Sequence, residues 1–81
     1  MHLTDLKIDD VAIIEKLNLF DKEIRRLYDL GFVVGSKVTP VLLSPSKSIK
    51  AYLVKDSIVA LRDSNASKIE VEYAKENSIN R

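Results

Sequence analysis

Both glycines of this chain stand four residues apart, at 31 and 35, directly behind a short amphipathic segment. The stretch Asp21–Gly35, DKEIRRLYDLGFVVG, therefore reads as one helix, a glycine stop and an entry turn into a strand. Asp21 is placed to act as N-cap, and Glu23 adds negative charge at the positive end of the helix dipole. Ile24, Leu27 and Tyr28 fall at i, i+3 and i+4 and share a face with Leu30 close by, while Arg25, Arg26 and Asp29 fall mainly opposite. Gly31 occupies the position where a helix ends in the left-handed conformation, and Phe32 then packs back on Leu27 as a Schellman motif requires. Phe20 is placed as a hydrophobic staple onto Ile24 or the stem of Arg25.

The rest of the chain reads as strands. Val11–Leu17 is rich in β-branched residues, with Val11, Ile13 and Glu15 on one side and Ala12, Ile14 and Lys16 on the other. Its mixed polarity fits a strand partly covered on both faces. Lys37–Leu43 is the second strand, an edge or bulged one because Pro40 has no N–H to give a ladder. That edge is the expected place for β-augmentation or self-association. Ile49–Val54 and Ser57–Arg62 continue a meander around the turn at Lys55-Asp56. Asp63–Ser67 forms a turn or a single 3₁₀ turn capped by Asp63 or Ser64. In the fifth strand, Lys68–Tyr73, Ile69, Val71 and Tyr73 share one face. Five short strands with one helix between the first two predict a mainly β fold, a small five-stranded SH3-like barrel. The first and last strands pair to close it, and the helix caps one end with Ile24, Leu27 and Leu30 plugging the core. The domain spans 1–74, and 75–81 is a polar, frayed tail.

Composition narrows the chemistry. Thirteen basic and twelve acidic residues leave a net charge of +1, which is no footprint for nucleic acid and no polybasic membrane patch. There is no cysteine, so disulfides, zinc knuckles and thiol catalysis are excluded and the cytoplasm is favoured. No apolar run approaches the ~20 residues of a membrane span, and Met1–Asp5 is no signal peptide. The single histidine, His2, has no His or Cys to share a metal with and reads as a mobile terminal residue. The carboxylates fall in turns, caps and a solvated strand face, and Gly31 and Gly35 lack the residues of a phosphate loop. The chain is expected not to be an enzyme and to carry no cofactor, no metal site and no catalytic residues.

Two separated motifs carry a resemblance. Arg26-Leu27-Tyr28-Asp29-Leu30-Gly31-Phe32-Val33-Val34-Gly35 resembles the "RL-x-D-L-G-[hydrophobic]-x-x-G" signature of FeoA domains. Ile58-Val59-Ala60-Leu61-Arg62, followed by Ala66 and Ile69-Glu70-Val71, is similar to the family's closing pattern, and Leu3-Thr4-Asp5-Leu6-Lys7 to its opening. Leu27, Leu30, Gly31, Gly35, Leu61, Arg62 and Ala66 are the structural signature on this chain. The sequence departs from the family at three turns. Asp9-Asp10 and Asp56 stand where glycine is usual, and Ser46-Lys47-Ser48 replaces Gly-Asp-Pro. Aspartate tolerates positive φ better than most residues, so the first two turns are expected to survive.

The resemblance implies an SH3-like interaction protein of bacterial ferrous iron uptake, working with the cytosolic region of a FeoB-like membrane transporter. Two alternatives stand beside it: a regulatory module like the C-terminal domain of metal-dependent repressors, or a weak transition-metal-binding protein. The candidate partner surface is Arg25 and Arg26, as a clamp for phosphate or carboxylate, with Phe32, Val33 and Val34 as an apolar patch at the helix end. Against the clamp stands a solvated helix face with Arg26 paired to Glu23 or Asp29.

Overall fold

The computed structural model describes residues 1–46 and 48–74. The expected tail at 75–81 lies outside the described residues. Strand β1 is Ala12–Leu17, helix α1 Asp21–Asp29, strands β2, β3 and β4 are Lys37–Leu43, Ile49–Val54 and Ser57–Arg62, helix α2 is Asp63–Ala66, and β5 is Ile69–Tyr73. A 3₁₀ turn at Leu3–Asp5 precedes them.

The strands form one antiparallel sheet in the order β4-β3-β2-β1-β5. The chain is thus mainly β, with the five-stranded SH3-like architecture that the pattern predicts. The expected pairing of first and last strands is present, from Ala12 opposite Tyr73 to Leu17 opposite Ile69. It does not complete a ring, because β4 and β5 remain the two edges. The N-terminus covers one of them: Val71 donates its N–H to the Met1 carbonyl at 2.8 Å, and His2 forms a β-bridge with Glu70. His2 is accordingly held by its backbone and is not a loose end; its N–H also donates to Asp5 Oδ2 at 2.9 Å.

Two bulges explain the irregular strand patterns. In β1 the register shifts between Ile14 and Lys16, leaving Glu15 as the extra residue. Without the bulge Lys16 would follow Ala12 and Ile14 into the core; with it, Glu15 and Lys16 are both exposed. In β2 the shift lies between Pro40 and Leu42, so Pro40 is buried and Leu42 turns outward. The expected bulge at Pro40 is therefore found, but the expected free edge is not: β2 lies inside the sheet between β1 and β3. The Pro40 carbonyl accepts from the Asp9 N–H at 2.9 Å. The idea of strand addition at Pro40 falls with that placement.

The end of α1 is a complete Schellman motif. Phe32 N–H donates to the Leu27 carbonyl at 2.8 Å and Gly31 N–H to the Tyr28 carbonyl at 3.0 Å, with Gly31 at φ 100°. Its start differs from expectation. Phe20 is the N-cap residue and makes no side-chain cap bond, and Asp21 is the first helical residue, so its charge acts only through the dipole. Phe20 is 78% exposed and staples nothing. The helix also plugs less than its periodicity promises. Leu27 is its one buried residue; Ile24 is half-buried, and Tyr28 and Leu30 are exposed.

The core is filled instead by Leu3, Leu6, Phe32, Tyr52, Ala66 and the inward residues of the strands. Phe32 and Tyr52 meet edge-to-face with ring centroids 6.4 Å apart. The segment Asp63–Ala66 forms the short helix α2 where the sequence offered a turn, and it packs against the 3₁₀ turn. Ile69 and Val71 are buried as their alternation predicts, but Tyr73 lies past the core and is exposed. Asp9 adopts φ 74°, as expected, whereas in the β3–β4 turn the positive φ, 54°, belongs to Lys55 and not Asp56.

Candidate functional site

Because α1 touches the sheet mainly through Leu27, an open cleft of about 320 Å³ separates the helix from β4. One wall is Glu23, Arg26, Leu27 and Leu30 of α1; the other is Val59, Ala60, Leu61 and Arg62 of β4; Leu19 and Asn65 close its ends. The Schellman turn explains why the helix stands off. It reverses the chain at Gly31 and drives Phe32, not the last turn of α1, into the barrel.

The β4 wall presents backbone as well as side chains. Asp63 N–H donates to the Ser48 carbonyl at 2.9 Å, and the register continues Leu61 opposite Lys50 and Val59 opposite Tyr52. Bonded and non-bonded pairs alternate in an antiparallel ladder, so Leu61, Val59 and Ser57 bond β3. Ile58, Ala60 and Arg62 then direct their N–H and C=O groups away from β3, at an edge that no other strand pairs among the described residues.

The charges are sparse and mixed. Arg26 and Arg62 are exposed beside the cleft. Glu23 is half-buried, and its Oε1 is buried without a protein hydrogen-bond partner, so this oxygen makes no bond to Arg26. Elsewhere, burial and the nearby Asp63 charge push the Tyr52 phenol up to about 12. Its hydroxyl and Asp63 Oδ1 have no protein partner. Among the described residues no group of three or more His, Cys, Asp and Glu side chains gathers as a metal site, and no helix is long and apolar enough to cross a membrane.

The structure brings together Arg26, Leu27, Leu30, Leu61 and Arg62, drawn from both sequence motifs, in this one cleft. It does not bring in the others. Phe32 is fully buried and is removed from any contact surface. Val33 is half-buried, and Arg25, Val34 and Gly35 are exposed outside the cleft. Ala66 is the buried residue of α2. Glu23, Val59 and Ala60 were not singled out as site residues from sequence. The available signal was the i, i+3 spacing of Glu23 and Arg26, which sets them on one helical face.

A five-stranded sheet with a displaced helix, an unpaired strand edge among the described residues and a cleft of mixed polarity defines a small SH3-like domain. The chain belongs to the FeoA domain family, whose model matches residues 1–73. It is 33% identical over 78 residues to the Fe(2+) transport protein A/Fe(2+) transporter FeoB fusion protein of Porphyromonas gingivalis, spanning 96% of this chain and only 9% of that protein. Among solved structures it resembles the FeoA protein from Chlorobium tepidum, with a TM-score of 0.88 and 26% identity over 95% of this chain and 73% of that one. It also resembles Stenotrophomonas maltophilia FeoA complexed with zinc, at a TM-score of 0.74 and 32% identity over 89% of each chain. That protein is described as an SH3 domain protein proposed as a ferrous iron transport activating factor.

Proposed function

We propose that this protein is a non-catalytic, cytoplasmic accessory factor of ferrous iron uptake that binds the cytosolic region of a FeoB-like transporter. The observation that carries the reading is the fused relative, in which a domain 33% identical to this chain shares one polypeptide with FeoB. Fusion holds two modules at high effective concentration, which is useful when they act on one another. The cleft between α1 and β4 supplies a surface suited to that contact, with Arg26 and Arg62 at its rim. Arg25, Val33 and Val34 lie outside it and are not needed by this reading. Iron is cargo handled by the transporter.

Isothermal titration of this protein into the cytosolic region of a FeoB-like transporter from the same cell tests the proposal. A complex with a Kd of about 1–10 μM, a contact of about −7 to −8 kcal/mol, is expected. Absence of heat and of co-elution at several times that concentration overturns it.

A further inference from the structure

The unpaired side of β4 forms one wall of the cleft, so the cleft has a backbone ladder to offer as well as apolar side chains. We infer that it takes an extended peptide segment of the partner, added as a sixth strand antiparallel or parallel to β4, and that this segment carries a carboxylate for Arg26 and Arg62. The inference rests on the reading of the protein as an interaction module and names how that module grips.

Three observations converge on such an occupant. First, the N–H and C=O groups of Ile58, Ala60 and Arg62 point away from β3, and among the described residues no strand pairs them. The other sheet edge, β5, is covered by the N-terminus through Met1 and His2, so β4 is the edge left for pairing. Second, the side of α1 facing this edge is apolar at Leu27 and Leu30, giving alternate side chains of an added strand somewhere to go. Third, the charges suit a segment that is acidic with a donor. Arg26 and Arg62 exceed the single Glu23, while Glu23 Oε1, buried and unpartnered by protein, calls for an N–H or O–H from the incoming chain. A helix would leave the edge amides unsatisfied, and a second copy pairing β4 with β4 would bring Arg62 to the same edge as the Arg62 of the other copy, a like-charge cost that a segment carrying a carboxylate avoids.

The probe is a blocked synthetic hexapeptide, Thr-Val-Asp-Val-Thr-Val, and the same sequence N-methylated at alternate residues. Amide hydrogen exchange followed by NMR is the readout. The peptide should slow exchange at Ile58, Ala60 and Arg62, and the N-methylated form should not. Glu23→Gln should weaken peptide binding about fivefold, the loss of one charge-assisted hydrogen bond. Ala60→Pro should abolish binding while keeping the bonds to β3; should that variant fail to fold, the N-methylated peptide decides alone. Equal binding of both peptides, or no protection of those three amides, overturns strand addition. The same amides are then followed with the transporter's cytosolic region. If that region binds and leaves them unprotected, strand addition falls and the transporter reading stands. If the peptide protects them and the region does not bind, the transporter reading falls and strand addition stands.

Discussion

The amide of Phe32 lies 2.8 Å from the carbonyl oxygen of Leu27, and these two residues are both buried although five positions separate them. One hydrogen bond thus fixes where the helix stops and which side chain enters the barrel. It also sets the helix away from β4, because the chain turns inward after α1 has presented only one buried residue.

Gly31 makes this geometry affordable, so its replacement should be costly. At Gly31 a Cβ would come no closer than 3.5 Å, to the Lys55 side chain, so the penalty is in the backbone and not in a clash. Gly31→Ala should destabilise by about 1–2 kcal/mol, and Gly31→Val by more, because φ 100° is strained for any side chain. Thermal melts read the difference, and a Val variant within a degree of the parent would contradict the assignment.

Phe32→Ala should cost about 3–5 kcal/mol, since it empties a fully buried position facing Tyr52. For a domain of this size that is a large part of the total stability. Urea denaturation checks it. Phe32→Leu should retain most of the fold, losing the edge-to-face contact and little else.

Lys50 Nζ donates to the Thr4 and Leu6 carbonyls at 3.4 and 3.3 Å, tying β3 to the N-terminal turn. Lys50→Met keeps the apolar stem and deletes both bonds. The expected loss is about 1 kcal/mol, with faster exchange of the Val71 amide, which depends on Met1. Unchanged Val71 protection would show that the N-terminus is held without this latch.

Two carboxylates on the β1–β5 face should give stability opposite pH dependences. The Glu15 carboxyl is raised, first by its side-chain hydrogen bond with Glu72, then by desolvation and by the Glu72 charge. Its folded state therefore holds the proton more tightly, and its contribution is present at low pH and lost as pH rises through the folded value. The Glu70 carboxyl is lowered, chiefly by the 2.6 Å hydrogen bond from Asn18 Nδ2. Its contribution is present above the unfolded value and lost as pH falls through the folded one. Melting curves from pH 3 to 7 should show Glu15→Gln raising Tm near pH 7 more than near pH 3. Asn18→Ala should lower Tm near pH 7 more than near pH 3.

Lys55 is the one non-glycine residue of a hairpin turn held at positive φ among the described residues. Lys55→Asn should stabilise by about 0.5 kcal/mol, because Asn tolerates that region better. Differential scanning calorimetry would register the rise in Tm, and a fall would show that the Lys55 stem against Gly31 matters more than the turn.

The residues themselves determined most of the architecture. Alternation and turn residues placed β2, β3 and β4, and Leu-x₃-Gly-Phe set the helix stop, because strand period, helix period and the left-handed preference of glycine are local properties. What chain order could not reveal was decided by packing across the fold. The bulge at Glu15 turns Lys16 outward, and the bulge beside Pro40 turns Leu42 outward, because register depends on the strand opposite. The cleft is of the same kind. Arg26 and Arg62 lie thirty-six positions apart in the chain, and they share a rim only because α1 docks mainly through Leu27 and leaves the outer side of β4 uncovered.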